Sequence, residues 1–97
     1  MKRVIVPAAL AELQDAAAFY TSTANVSLGL AFVAEFARCM NIILANPDSG
    51  AALRGPSRRY LFRRFPYSVI YHVVHDQLRV IAVARQHRRP GYRARRE

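Results

Sequence analysis

The stretch FPYSVIYHVVHDQLRVIAVARQHRRPGY, residues 65–92, holds two hydrophobic runs on either side of a short polar turn, and the second run leads straight into an arginine cluster. Residues 67 to about 75 are rich in β-branched and aromatic side chains and nearly continuous in apolar character. That suits a strand in the middle of a sheet. Asp76-Gln77 is expected to form a tight turn, although it lacks the glycine of the strongest hairpin signal. From residue 78 to about 85, Val80, Ala82 and Ala84 alternate with Arg79, Ile81, Val83 and Arg85. This predicts a strand with one face of small residues, against which a helix can pack closely. Residues 59–65, RYLFRRF, read as another strand just upstream.

Toward the N-terminus the periodicity changes. Val4, Ile5 and Val6 form a short β-branched strand stopped by Pro7. Pro7 also suits the first position of a helix, where its missing N–H costs nothing. In AALAELQDAAAFY, residues 8–20, Leu10, Leu13, Ala17 and Tyr20 recur at helical spacing, widened by Ala9, Ala16 and Phe19, while Glu12, Gln14 and Asp15 lie mostly away from the stripe. The Thr/Ser/Asn-rich residues 21–27 are expected to end this helix and cap the next. A second helix is expected over about 27–45. Its stripe is Phe32, Phe36, Cys39 and Ile43, with Val33, Met40 and Leu44 beside it and Glu35, Arg38 and Asn41 left for solvent. Asn46-Pro47 ends it, because the residue before proline is pushed out of the α region. Residues 48–57 read as a loop punctuated by Gly50, Gly55 and Pro56. The resulting order is β-α-α-β-β-β: an α+β fold with a helical hairpin on one face of a mostly antiparallel sheet.

The 97 residues match one small domain spanning 1–97. Residues 1–57 carry four basic side chains (Lys2, Arg3, Arg38, Arg54) and four acidic ones (Glu12, Asp15, Glu35, Asp48), whereas residues 58–97 carry eleven arginines against Asp76 and Glu97. The formal charge of +9 therefore sits wholly in the last forty residues, leaving a neutral packing half and a cationic working half. No run approaches the roughly 18–20 unbroken apolar residues of a membrane span. Glu12, Gln14 and Asp15 interrupt any signal-like N-terminus. The single cysteine, Cys39, cannot close an internal disulfide, fits a reducing cytosol, and lies on an apolar helix face as a core thiol. The expected location is cytoplasmic, with no membrane partner.

The order of elements resembles the ParE/RelE superfamily of bacterial type II toxins, the plasmid stabilisation proteins. So do the phrases that mark it: an Ala-rich helix ending Phe19-Tyr20, a second helix ending Asn46-Pro47 with Gly50 just after, Phe65-Pro66-Tyr67-Ser68-Val69-Ile70-Tyr71, and Ala82-Val83-Ala84 followed by Arg88-Arg89-Pro90-Gly91-Tyr92. The resemblance implies a toxin neutralised by an acidic antitoxin encoded beside it. Members of the RelE branch cleave mRNA on the ribosome and typically carry one arginine after the tyrosine that opens the middle strand, another after the last strand, and a C-terminal tyrosine. On this sequence those positions are Ser68, Gln86 and Tyr92, so only the tyrosine fits. A serine supplies a short neutral hydroxyl where phosphate cleavage needs a fixed cation. The FPYSVIY strand looks instead like the ParE branch, whose typical members bind DNA gyrase and carry no recognised hydrolytic site. The resemblance thus implies binding without catalysis. The alternatives are a ribosome-dependent mRNA endonuclease using Arg64, Arg85, His87 and Tyr92, or a non-toxic relic that keeps only antitoxin binding.

Scattered surface arginines are usually just solvated. Eleven of them in forty residues with only two acids point instead to a binding role, for nucleic acid or for an acidic protein segment. The expected target- or antitoxin-binding set is Arg63, Arg64, Arg85, His87, Arg88, Arg89, Tyr92 and Arg93. His87 stands among Arg85, Arg88 and Arg89. Cations there disfavour its protonated form, which makes it the general-base candidate for the nuclease reading. His72 and His75 are expected on opposite faces of a strand, where structural hydrogen bonding is the ordinary role, and with His87 they lack a cysteine or carboxylate at ligand spacing. Tyr60, Tyr67 and Tyr71 are expected to pack in the sheet. No metal site or cofactor is expected, and no glycine-rich phosphate loop or Ser-His-Asp order is present.

Overall fold

The computed structural model describes residues 1–86. Strand β1 (Lys2–Ile5) leads into helices α1 (Pro7–Thr23) and α2 (Val26–Ala45), followed by β2 (Ala51–Ala52), β3 (Arg58–Leu61), β4 (Tyr67–Val74) and β5 (Gln77–Arg85). The five strands form one sheet in the order β1-β5-β4-β3-β2. β1 runs parallel to β5 and every other pair is antiparallel. This is the expected α+β architecture, with one short strand, β2, inside the stretch expected as loop.

Pro7 opens α1 as its composition predicts. The helix does not stop at Tyr20, however. Ser22 Oγ and Thr23 Oγ1 donate back to the Phe19 carbonyl, at 3.3 and 2.7 Å, and the hydroxyls that could have ended the helix extend it. Only Ala24 and Asn25 link the helices. Asn25 Oδ1 accepts the Leu28 N–H at 2.8 Å and caps α2. Gly29 lets the helices meet: a Cβ there would stand 2.9 Å from the Ala17 carbonyl oxygen and would collide with Thr21 Oγ1. By length and a mean hydropathy of 1.7, α2 passes as a possible membrane span. It holds Glu35 and Arg38, though, and its Phe32, Phe36, Cys39, Met40 and Ile43 are buried in the core.

The core lies between the hairpin and one face of the sheet. Phe32 is its centre, with the rings of Phe62, Phe65 and Tyr67 at 5.1, 5.1 and 5.0 Å. Tyr20 stacks edge-on against Phe65 at 5.0 Å. Ala9, Leu13 and Ala16 line the helix side, while Leu10 and Phe19, expected in the stripe, are exposed at its margins. The Tyr71 hydroxyl donates to the Pro47 carbonyl at 2.8 Å and accepts the Gly50 N–H at 2.9 Å. A Cβ on Gly50 would lie 2.6 Å from that hydroxyl, which is why glycine follows Asn46-Pro47 at this spacing.

Two strand boundaries and the alternation along β5 differ from expectation. β3 ends at Leu61 rather than continuing through residue 65: Phe62 donates its N–H to Tyr67 O at 2.9 Å, and Arg64 takes φ 69° as the chain reverses. The β4–β5 turn is His75-Asp76, one residue earlier than expected. Both residues have positive φ, 51° and 60°, and Val74 pairs with Gln77, as a two-residue hairpin loop requires. His75 therefore sits in the turn, and strand alternation does not relate it to His72. Finally, Tyr71 pairs with Val80 but Ile70 pairs with Ala82, so Ile81 is an extra residue in a bulge. The bulge reverses the alternation. Leu78, Val80 and Val83 enter the main core, whereas Ala82 and Ala84 pack with Ile70, Ile81, Val6 and Leu53 in a second cluster. The small-residue face expected against a helix is on the opposite side of the sheet.

Candidate binding surface

Arg63 and Arg64 sit in the reversal between β3 and β4, and a carboxylate from α2 fixes that reversal. Glu35 Oε2 accepts the Arg63 backbone N–H at 2.6 Å. The same carboxylate takes Arg38 Nε at 2.8 Å and Arg38 Nη2 at 2.6 Å, and Cys39 Sγ lies 3.7 Å from it. The guanidinium fork holds the Glu35 carboxyl at about 2, with the Arg63 N–H adding to the effect against the opposing pull of burial. Glu35 and Arg38, expected in solvent, instead tie α2 to the strand reversal. The Arg38 guanidinium is in turn held protonated more firmly than usual by Glu35. Burial, and then the Glu35 charge, push the Cys39 thiol up to about 11, so it is an inert core thiol.

Outside this clamp the flank of β3 carries a groove of about 320 Å³. Arg38, Arg59, Arg63, Tyr60, Leu61 and Ser49 line it. Arg64 points elsewhere, with its guanidinium 5.9 Å from the Phe65 ring centre.

Arg85 closes β5 on the other flank. It pairs in register with Tyr67, and its guanidinium lies 5.4 Å from the Tyr67 ring centre. Beyond Val80, β5 has no strand on its outer side because β1 ends at Ile5. Glu12 Oε1 reaches that bare edge and accepts the Val83 N–H at 3.0 Å. Glu12 had been expected to lie away from the packing surface. A groove of about 240 Å³ follows, lined by Glu12, Asp15, Phe19, Tyr67 and Arg85. Burial raises the Tyr20 phenol pKa, Tyr67 adds to the rise, and Arg85 opposes it.

Of the expected binding set, Arg63 joins Arg38 and Arg59 on one flank, and Arg85 lies beside Glu12 and Asp15 on the other. Arg63, Arg64 and Arg85, the described cations of that set, do not converge on one point. His87, Arg88, Arg89, Tyr92 and Arg93 lie outside the described residues. Arg38 and Arg59 were not in the expected set. The i,i+3 spacing of Glu35 and Arg38 was the one available signal for the first, and it reads as an ordinary surface ion pair. Ser68 is 2 % exposed, on the sheet face away from the helices. Gln86 donates its N–H to Pro66 O at 3.0 Å and its Nε2 to Tyr67 O at 3.2 Å, closing the end of the hairpin. Among the described residues, no three His, Cys, Asp or Glu side chains cluster to hold a metal ion.

A family model described as "ParE toxin of type II toxin-antitoxin system, parDE" matches residues 4–90. Nine chains among solved structures match. One, described as the chromosomal ParDE TA system from P. aeruginosa, has a TM-score of 0.76 at 19% identity, with 88% of this chain and 95% of that chain covered. At that identity the likeness is one of fold. No curated protein matches the chain.

Proposed function

The chain belongs to the ParE toxin family as the toxin of a type II toxin-antitoxin system, and from that premise we propose that it acts in the cytoplasm by binding and inhibiting DNA gyrase, and that an acidic antitoxin neutralises it. The observation that carries the choice of binding over catalysis is the burial of Ser68, 2 % exposed. The RNA-cleaving branch that the chain resembles typically carries an arginine at that position, and phosphate cleavage needs such a cation aimed at the developing charge. Here a short enclosed hydroxyl occupies it. Gln86, at the second such position, spends its amide on the Tyr67 carbonyl. Arg64 and Arg85, the two described members of the alternative nuclease set, each lie over an aromatic ring.

The test is to titrate the purified chain into a gyrase supercoiling assay and to score trapped plasmid cleavage in parallel. The expected result is inhibition that the antitoxin relieves. Unchanged supercoiling at saturating dose, with growth arrest on induction, would end the gyrase reading. Transcript cleavage in the same cells would then establish the nuclease alternative, and normal growth with soluble protein would point to a non-toxic relic.

A further inference from the structure

The sheet face away from the helices carries a line of basic side chains. Tyr71 pairs with Val80 and Val80 with Ile5, and this row of the sheet packs in the main core. Side chains alternate along each strand, so the next row, His72, Arg79 and Val4, faces the other way. Lys2, two residues before Val4, shares that face. On β3, Tyr60 packs on the main core, while Arg59 pairs with Ile70 of the second cluster and faces the side of His72. Neighbouring strands lie about 4.8 Å apart, so Arg59, His72, Arg79 and Lys2 make a slanted line about 14 Å wide across β3, β4, β5 and β1. Lys2 is exposed and the other three are half-buried. Neither Lys2, Arg59 nor Arg79 takes part in an ion pair among the described residues. Of the described acids, Glu12, Asp15 and Glu35 belong to the helices and Asp48 stands against Arg58. Asp76 alone is near, in the turn beyond Lys2. Every described Phe and Tyr packs in the main core or lies on the helices, so this face has no Phe or Tyr ring.

We propose that this face binds the phosphate backbone of duplex DNA through Lys2, Arg59 and Arg79, with His72 between them. Cations without a counter-charge attract phosphates. Single-stranded nucleic acid is disfavoured, because its bases would find no aromatic platform to stack on. A peptide strand is disfavoured too: β4 and β5 each have a neighbour on both sides, so their main-chain groups along the line are spent inside the sheet. The choice of DNA over duplex RNA rests on the gyrase reading, since that target brings DNA to the chain.

The test titrates the full chain into a fluorescent DNA duplex of mixed sequence and reads anisotropy at several salt concentrations. Lys2→Gln, Arg59→Gln and Arg79→Gln should each reduce the slope of log K against log salt by about 1. Arg3→Gln removes the same charge from the same short strand, but from the helix side, where Arg3 lines a groove with Phe36 and Met40. It should leave the slope unchanged. Binding by the remaining arginines is common to all four variants and cancels in the comparison. Lys2 is exposed, so Lys2→Gln keeps the test valid even if Arg59→Gln disturbs the β3 flank. Four results would overturn the proposal: an equal slope change in Arg3→Gln, unchanged slopes in the three face variants, equal competition by polyglutamate of matched charge, or tighter binding of an RNA duplex of the same sequence. The supercoiling assay is scored separately. Its failure with face-specific DNA binding intact removes the target and leaves this site, and the converse removes only the site.

Discussion

Glu12 of α1 takes the N–H of Val83 at 3.0 Å, and Glu35 of α2 takes the N–H of Arg63 at 2.6 Å. Each helix thus hands one carboxylate to a bare length of strand edge, one on the β5 flank and one on the β3 flank. Capping an edge in this way discourages unplanned strand pairing. The surroundings differ. Glu35 is gripped by the Arg38 fork and sits against Cys39, whereas Glu12 lines a groove with Asp15, Phe19 and Arg85. The same device locks one flank and furnishes a mixed-charge surface on the other. A carboxylate's neighbours, rather than the bond to the strand, decide which of the two it does.

Four measurements bear on that contrast. Phe32 packs between the flanks, touching Phe62, Phe65 and Tyr67. Phe32→Ala should therefore cost about 3–5 kcal/mol in equilibrium denaturation, and a loss under about 1 kcal/mol would mean the flanks do not share a core. Glu35→Gln keeps an acceptor for the Arg63 N–H but gives up the charge that Arg38 grips. Its expected cost near neutral pH is about 2 kcal/mol. Because the folded carboxyl is held at about 2 against an ordinary 4.5, this contribution is present in full above the ordinary value and lost as pH falls toward 2. Denaturation curves of wild type and variant should converge over that window, and a gap constant with pH would contradict the clamp. Glu12→Gln should cost less, about 1 kcal/mol. A cost equal to that of Glu35→Gln would erase the distinction between locked and open flanks. The smallest energetic effect concerns Cys39. With its thiol near 11 instead of 9, the folded chain should react with a disulfide reagent at pH 8 roughly a hundredfold more slowly than an exposed thiol. Reaction at the exposed rate would show that the α2 side of the lock opens freely.

Much of the fold was readable where one physical signal acted alone. The continuous apolar run of β4, the Pro7 helix start and the Asn46-Pro47 stop each follow from local chemistry, and the helical hairpin and mostly antiparallel sheet follow from them. Reading failed where local signals have two outcomes. Ser22 and Thr23 hydroxyls can end a helix or bond back into it, and here they bond back to Phe19. Alternation along β5 is lost at Ile81, because a bulge depends on the partner strand and leaves no mark in composition. The candidate site was legible as a charge excess but not as a place. Arg63 and Arg85 are both cationic and close to aromatics, yet the sheet puts them on different flanks. Arg59 stands only four residues before Arg63, but Arg38 reaches them from α2 through the tertiary fold alone. Glu35 and Arg38 illustrate the limit most clearly. An i,i+3 pair looks like surface decoration until the strand reversal it holds is known.

The parallel pairing of β1 with β5 joins Lys2–Ile5 to Gln77–Val80, nearly the two ends of the described chain. On a ribosome, the first strand emerges with no partner. The hairpin of α1 and α2 follows with its apolar stripe uncovered, and at about 5–20 residues per second several seconds pass before β5 is made. Throughout that interval the nascent chain displays Phe32 and Phe36 to its surroundings and has no finished surface with which to bind anything. A chain built this way completes its sheet, and with it the flanks that carry Arg63 and Arg85, only once β5 has been made.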